Sequence, residues 1–211
     1  MPDDFFKGDR KYWNLIRKKL FLTPGDYARV IMIPAFQPEM VLSVDAIVDP
    51  NGKAQFFITL TRPSANLFYT IPQPPATDST GRPVPGATPY PLNKITIKKL
   101  TVPIDAALAA AIHETWVRMI SRADIPPEDK PPLSGRIIAV DETVWFYSVK
   151  LPDARIKFAK LPLITTEMLE RFRLIAGGFE AYCEDPPAKR ARYRRWLLED
   201  SARVNEQLAK Q

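Results

Sequence analysis

The chain has 211 residues, 45% of them hydrophobic, a formal net charge of +6, one cysteine and one histidine. That length supports one real core, read as a single domain over 1–211. One cysteine excludes an intramolecular disulfide and a cysteine-rich metal site, and no apolar run approaches the roughly 20 residues that cross a bilayer.

Residues 8–22, GDRKYWNLIRKKLFL, are predicted to form a short helix: Asp9 can cap it, and Tyr12, Trp13, Ile16 and Leu20 recur at spacings of three and four. TPGD at 23–26 stops it. Three strands are predicted next, over 27–33, 40–48 and 54–62, and DPNG at 49–52 joins the last two as a hairpin. In 54–62, Phe56, Ile58 and Leu60 share one side. Residues 70–94 hold seven prolines in 25 positions, which no helix or central strand tolerates. This Pro-rich loop is read as a surface excursion, with Tyr90 as a binding residue near its end. A strand over 93–102 follows, with Ile95, Ile97 and Lys99 on one side. Pro103 sits at the start of the clearest helix, 104–123. Beyond the breaker at 124–135, 136–140 and 143–149 read as a second hairpin, and 154–161 as one more strand. Helix 165–183 carries Gly177–Gly178, where a kink or break is expected. Pro187 begins a last amphipathic helix, 187–211. Strands arrive in meanders rather than alternating with helices. The expected class is therefore α+β: an antiparallel sheet of about six to seven strands, helices packed on one face, and C-terminal helices.

Candidate chemistry is sparse. Ile104, Leu108, Ile112, Trp116, Met119 and Ile120 form an apolar stripe, and His113 falls on its border, about 100° round from Ile112. His113 and Glu114 are the candidate acid–base pair of a hydrolase-like enzyme. Against that, Glu114 is placed to pair with Arg118 at i+4, and no nucleophile elbow, phosphate loop or dinucleotide fingerprint occurs. A zinc site needs at least three protein ligands, so no metal and no cofactor is expected. Cys183, with acids beside it, reads as a structural thiol. KRARYRRW at 189–196 carries five cations and no acid, with Tyr193 and Trp196 interleaved. Its Arg192 and Arg195 are candidate binding residues, and nucleic acid is the partner such a run would suit. Yet 165–211 balances 9 Lys/Arg against 8 Asp/Glu, and Tyr193, Trp196, Leu197, Val204 and Leu208 form an apolar stripe. Docking on the domain is the favoured reading, and nucleic acid is disfavoured. The basic N-terminal helix is likewise read as docked on the body rather than laid on an anionic membrane. Trp145 and Tyr147 are expected as exposed aromatics suited to an interface.

The segments PGDYARVIMIPAFQPEMVLSV (24–44), VPIDAALAAAIHETWVRMI (102–120), IIAVDETVWFYSV (137–149) and LIAGGFEAYC (174–183) together resemble uncharacterised secreted or periplasmic proteins of Gram-negative bacteria. Those proteins show a P-S/A-F-x-P-E turn, a tryptophan-bearing helix and an Asp-Gly-x-x-Tyr-x-Phe strand. Glu142 stands where that pattern has glycine, and Phe146 and Tyr147 are shifted against it. The resemblance covers under half of the chain. It implies a periplasmic or secreted setting, with a signal peptide already removed, and no activity. The acidic start MPDDFF, with no apolar region after it, leaves the cytoplasm as the alternative. The expected function is a non-enzymatic protein-binding domain of the bacterial cell envelope, in concrete form an immunity or accessory protein.

Overall fold

The computed structural model describes residues 10–21, 27–34, 37–71, 82, 89–122, 143–160 and 167–210. Among these are six strands, β1 (Ala28–Ile33), β2 (Met40–Val48), β3 (Ala54–Pro63), β4 (Ile97–Ile104), β5 (Val144–Lys150) and β6 (Ile156–Lys160). Four helices accompany them: α1 (Arg10–Leu20), α2 (Ala106–Arg122), α3 (Glu167–Glu184) and α4 (Pro187–Ala209). The strands form one antiparallel sheet in the order β4-β3-β2-β1-β5-β6. The class is α+β. β1 to β4 are a meander of successive neighbours. After β4 the chain passes through α2 and returns as β5 on the free side of β1, where Ala28 pairs with Val149. Residues 136–140 lie outside the described residues, and the hairpin seen in this half is β5–β6.

Side chains alternate across a strand, so each strand offers two faces. On one face Val30, Leu42, Ile58, Leu60, Tyr147 and Val149 meet Leu108, Ile112 and Trp116 of α2 and Phe172, Ile175 and Phe179 of α3. α4 packs on α2 and α3. On the other face Ile31, Val41 and Phe146 meet Tyr12, Ile16 and Leu20 of α1. Three helices thus share one face as the sequence suggests, while α1 covers the opposite one. Burial on both sides explains why β1 reads ARVIMI, almost without polar positions.

Two local expectations change. Pro103 lies within β4, not at the start of a helix. The cap of α2 is Asp105, whose Oδ1 accepts the Leu108 amide at 3.0 Å. The carboxylate also takes the Arg194 guanidinium of α4 at 2.5 Å, which ties the two helices. The hydrogen bond from Arg194 holds the Asp105 carboxyl at about 2, below its usual 3.8. A depressed folded-state value means the stabilisation is complete above roughly pH 4 and is lost as pH falls through that interval. Arg194→Gln is expected to destabilise slightly at pH 7, the effect being screened because both groups are over one-third exposed. The cost should shrink as pH falls from 4 towards 2 and vanish below about 2, as measured by urea unfolding across that range.

α3 runs unbroken through Gly177–Gly178, contrary to the expected kink. Gly177 faces open space, whereas a Cβ at Gly178 would collide with the Trp196 ring and lie 3.0 Å from Leu197 Cδ2. The second glycine is what lets α4 approach α3. Gly177→Ala should therefore add about 0.5–1 kcal/mol through helix propensity. Gly178→Ala should cost about 1–3 kcal/mol through overpacking. Thermal melts of the two variants are expected to move in opposite directions.

Candidate functional site

A short segment after β3, SANLFYT, is held with unusual care. Its carboxylate support is Glu39, just before β2 and fully buried. Glu39 Oε1 accepts the Tyr12 hydroxyl at 2.6 Å and the Leu67 amide at 3.0 Å; Oε2 accepts the same amide at 2.8 Å, and Phe68 N lies 3.3 Å from Oε1. A buried carboxylate needs such donors, since nothing else offsets its lost hydration. Burial, and then the Glu39 charge beside it, push the Tyr12 phenol far above its ordinary range, so it stays a donor.

The segment then forms a 3-10 turn, Leu67–Thr70, whose cap Asn66 accepts the Phe68 amide at 2.8 Å and donates to the Gln37 carbonyl at 2.8 Å. Thr70 Oγ1 donates to the Leu67 carbonyl at 2.7 Å. The Tyr90 amide donates to the Tyr69 carbonyl at 2.9 Å, joining the end of the Pro-rich segment to this turn. A second 3-10 turn, Leu92–Lys94, follows.

This fixed backbone presents apolar groups outward. Phe68 is 37% exposed, Tyr69 43%, Tyr90 44% and Leu92 37%, although Leu67, which opens the turn, is fully buried. Phe68 packs edge-on against Tyr12 (ring centroids 5.4 Å apart, 87°) and Tyr69 (5.9 Å, 76°). The result is a shelf of aromatic and aliphatic surface with two phenol hydroxyls at hand, beside α1. Clustered exposed aromatics of this kind are a signature of contact surfaces.

The residues singled out in the sequence are scattered. Tyr90 is on the shelf. Tyr147 is a core residue, 1% exposed, with its ring 5.3 Å from Trp116, so the expectation of an exposed aromatic there is overturned. Trp145 is half-buried and packs against the same core. The His113 ring stacks on Tyr27 at 4.3 Å, and its Nε2 donates to the Lys150 carbonyl at 2.6 Å. Glu114 is held by Arg118 at 2.7 Å. The two are therefore separately engaged, one against the sheet and one along its own helix. Burial pushes the Cys183 thiol up to about 12, which leaves it unreactive at neutral pH. In the 189–196 run, Lys189 pairs with Asp185, Arg190 donates to the Tyr182 carbonyl and Arg194 pairs with Asp105. The Tyr193 hydroxyl donates to Asp185 at 2.6 Å and Trp196 lies over Gly178. Arg192 and Arg195 remain exposed on α4. Among the described residues, no group of three His, Cys, Asp or Glu side chains is placed to hold a metal ion, and no helix is long and apolar enough to cross a membrane.

A second feature escapes sequence reading. Thr59, Ser43, Arg29 and Ser148 are paired in register across four strands on the α1 face, and all are buried. Arg29 lies over the Phe21 ring at 4.1 Å. Hydroxyls alternating with Val and Ile look like solvent positions in a one-sided sheet; here the second face is covered.

Comparison with protein-family models, with curated proteins and with solved structures returns no match.

Proposed function

We propose that this chain is a non-enzymatic protein-binding domain and that the shelf of Phe68, Tyr69, Tyr90 and Leu92 is its contact surface. The observation that carries this is the combination of exposure with rigidity. A buried carboxylate and an asparagine cap fix a surface turn that keeps Phe68 and Tyr69 partly exposed while Leu67 is buried. A preordered turn loses little entropy on binding, and aromatic groups dominate interface energetics. An envelope setting, with an immunity or accessory role, belongs to the same proposal and rests on the sequence resemblance alone.

A photo-reactive phenylalanine at Tyr69 tests the proposal, with the same probe at exposed Ala202 on α4 as control. A discrete adduct formed only from position 69 in the cells that express the protein is the expected result. No adduct, or the same adducts from both positions, overturns the reading.

A further inference from the structure

The shelf lies in a region whose charge is one-sided. Residues 1–104 carry 13 Lys/Arg against 8 Asp/Glu, while 105–211 carry 17 against 16, so the excess belongs to the first half. The described segments that build the shelf and its surroundings, 10–21, 64–71 and 89–104, contain eight Lys/Arg and no Asp or Glu, and of the eight Lys98 is paired with Glu184 of α3 at 2.8 Å. α1 turns its apolar side, Tyr12, Ile16 and Leu20, onto the sheet and leaves Arg17 and Lys18 in solvent. Lys94 and Lys99 are exposed on the other flank. Glu39, whose oxygens hold the turn, is buried and committed to donors from Tyr12, Leu67 and Phe68.

On the protein-binding reading above, we infer that the shelf takes an acidic peptide segment of its partner, with apolar or aromatic anchors seated on Tyr69 and Tyr90 and carboxylates against the cations of α1 and Lys94. Complementary charge steers such an encounter and fixes its register. Two other polyanions fit less well. Single-stranded nucleic acid stacks on successive open ring faces, and of the three aromatics here Phe68 is interlocked edge-on with two neighbours, which leaves only Tyr69 and Tyr90. An anionic membrane needs the apolar side of an interfacial helix, and that side of α1 is already on the sheet.

The test titrates the full chain with a random glutamate–tyrosine copolymer, with polyglutamate and with oligo-dT, by fluorescence anisotropy at low and high salt. The copolymer is expected to bind most tightly. Binding should weaken about tenfold or more in Arg17→Glu/Lys18→Glu, in Tyr69→Ser/Tyr90→Ser and on raising salt, as screening of a surface contact requires. Both double variants change exposed side chains, and unchanged circular dichroism spectra establish that they fold. Equal binding of polyglutamate removes the apolar anchors, indifference to the charge reversals removes the cations, and tighter binding of oligo-dT makes the surface a nucleic-acid one; each overturns the inference. Failure here with a discrete adduct still formed at position 69 leaves protein binding standing and only the acidic chemistry wrong. Loss of both removes the parent reading as well.

Discussion

Replacing Glu39 with glutamine should cost about 3 kcal/mol and lower the melting temperature by roughly 6–12 °C for a chain of this size. Glutamine has the same shape, so the loss isolates charge and hydrogen bonding. In the parent both carboxylate oxygens accept the Leu67 amide, and one also takes the Tyr12 hydroxyl. A glutamine amide must turn its NH2 towards one set of donors, which leaves a donor facing a donor in a site with no solvent. Tyr12→Phe removes one donor and keeps the ring, and should cost about 1–2 kcal/mol. Because the two residues share one hydrogen bond, the double variant should be less destabilised than the sum of the singles. Differential scanning fluorimetry on the four proteins measures this cycle. A Glu39→Gln protein that melts with the parent would show that the carboxylate does not hold the turn. The same substitution should loosen the Leu67–Thr70 turn, so copolymer binding is expected to fall even at temperatures where the variant is folded.

Trp116→Ala should be more damaging still, at about 3–5 kcal/mol. Trp116 is 1% exposed, and its ring lies between Tyr147 (5.3 Å) and Phe179 (5.7 Å), the point at which β5, α2 and α3 meet. Its indole N–H donates to the Arg29 carbonyl at 3.3 Å. A cavity of about 10 Å³, bounded by Ala28, Leu42, Ile112 and Phe179, already adjoins it. Truncation would enlarge that void in a region with little freedom to collapse, since the sheet is fixed on its other face. Trp116→Phe keeps most of the packing and should cost about half as much. Urea denaturation gives both values. A Trp116→Ala loss below about 2 kcal/mol would mean that the surrounding helices close over the space.

Much of the fold is legible in residue order. β1, β2, β3 and β5 fall within a residue or two of the spans their alternation suggests; α2 follows from its apolar stripe, and α4 from its stripe and Pro187. What could not be read was which faces are covered. Thr59 and Ser43 have the pattern of solvent positions, and only the placement of α1 on the second face buries them. Tyr147 was misplaced for a different reason: it lies on the α2/α3 face against Trp116, while its neighbour Phe146 faces α1. Gly177 and Gly178 are identical in sequence terms, and only the position of Trp196 separates them.

The shelf was half visible. Tyr90 stands among prolines, where an aromatic has no core to join. Phe68 and Tyr69 carried a signal of their own: they follow Asn66, a capping residue, and precede Ile71 and Pro72. The role of Glu39 had no local sign, because its donors come from Tyr12, 27 residues away in one direction, and Leu67, 28 in the other.

The strand order has a consequence for how the chain folds. β1 pairs with β2 almost at once, but its other neighbour is β5, with Ala28 opposite Val149. During synthesis the meander β1–β4 can assemble early, with β1 as a temporary edge strand of unpaired amides and carbonyls. That edge closes only after α2 has crossed the sheet and β5 has been made. The slow phase of refolding is therefore expected to be the docking of β5 onto β1, and the species present before it should be the one most prone to self-association.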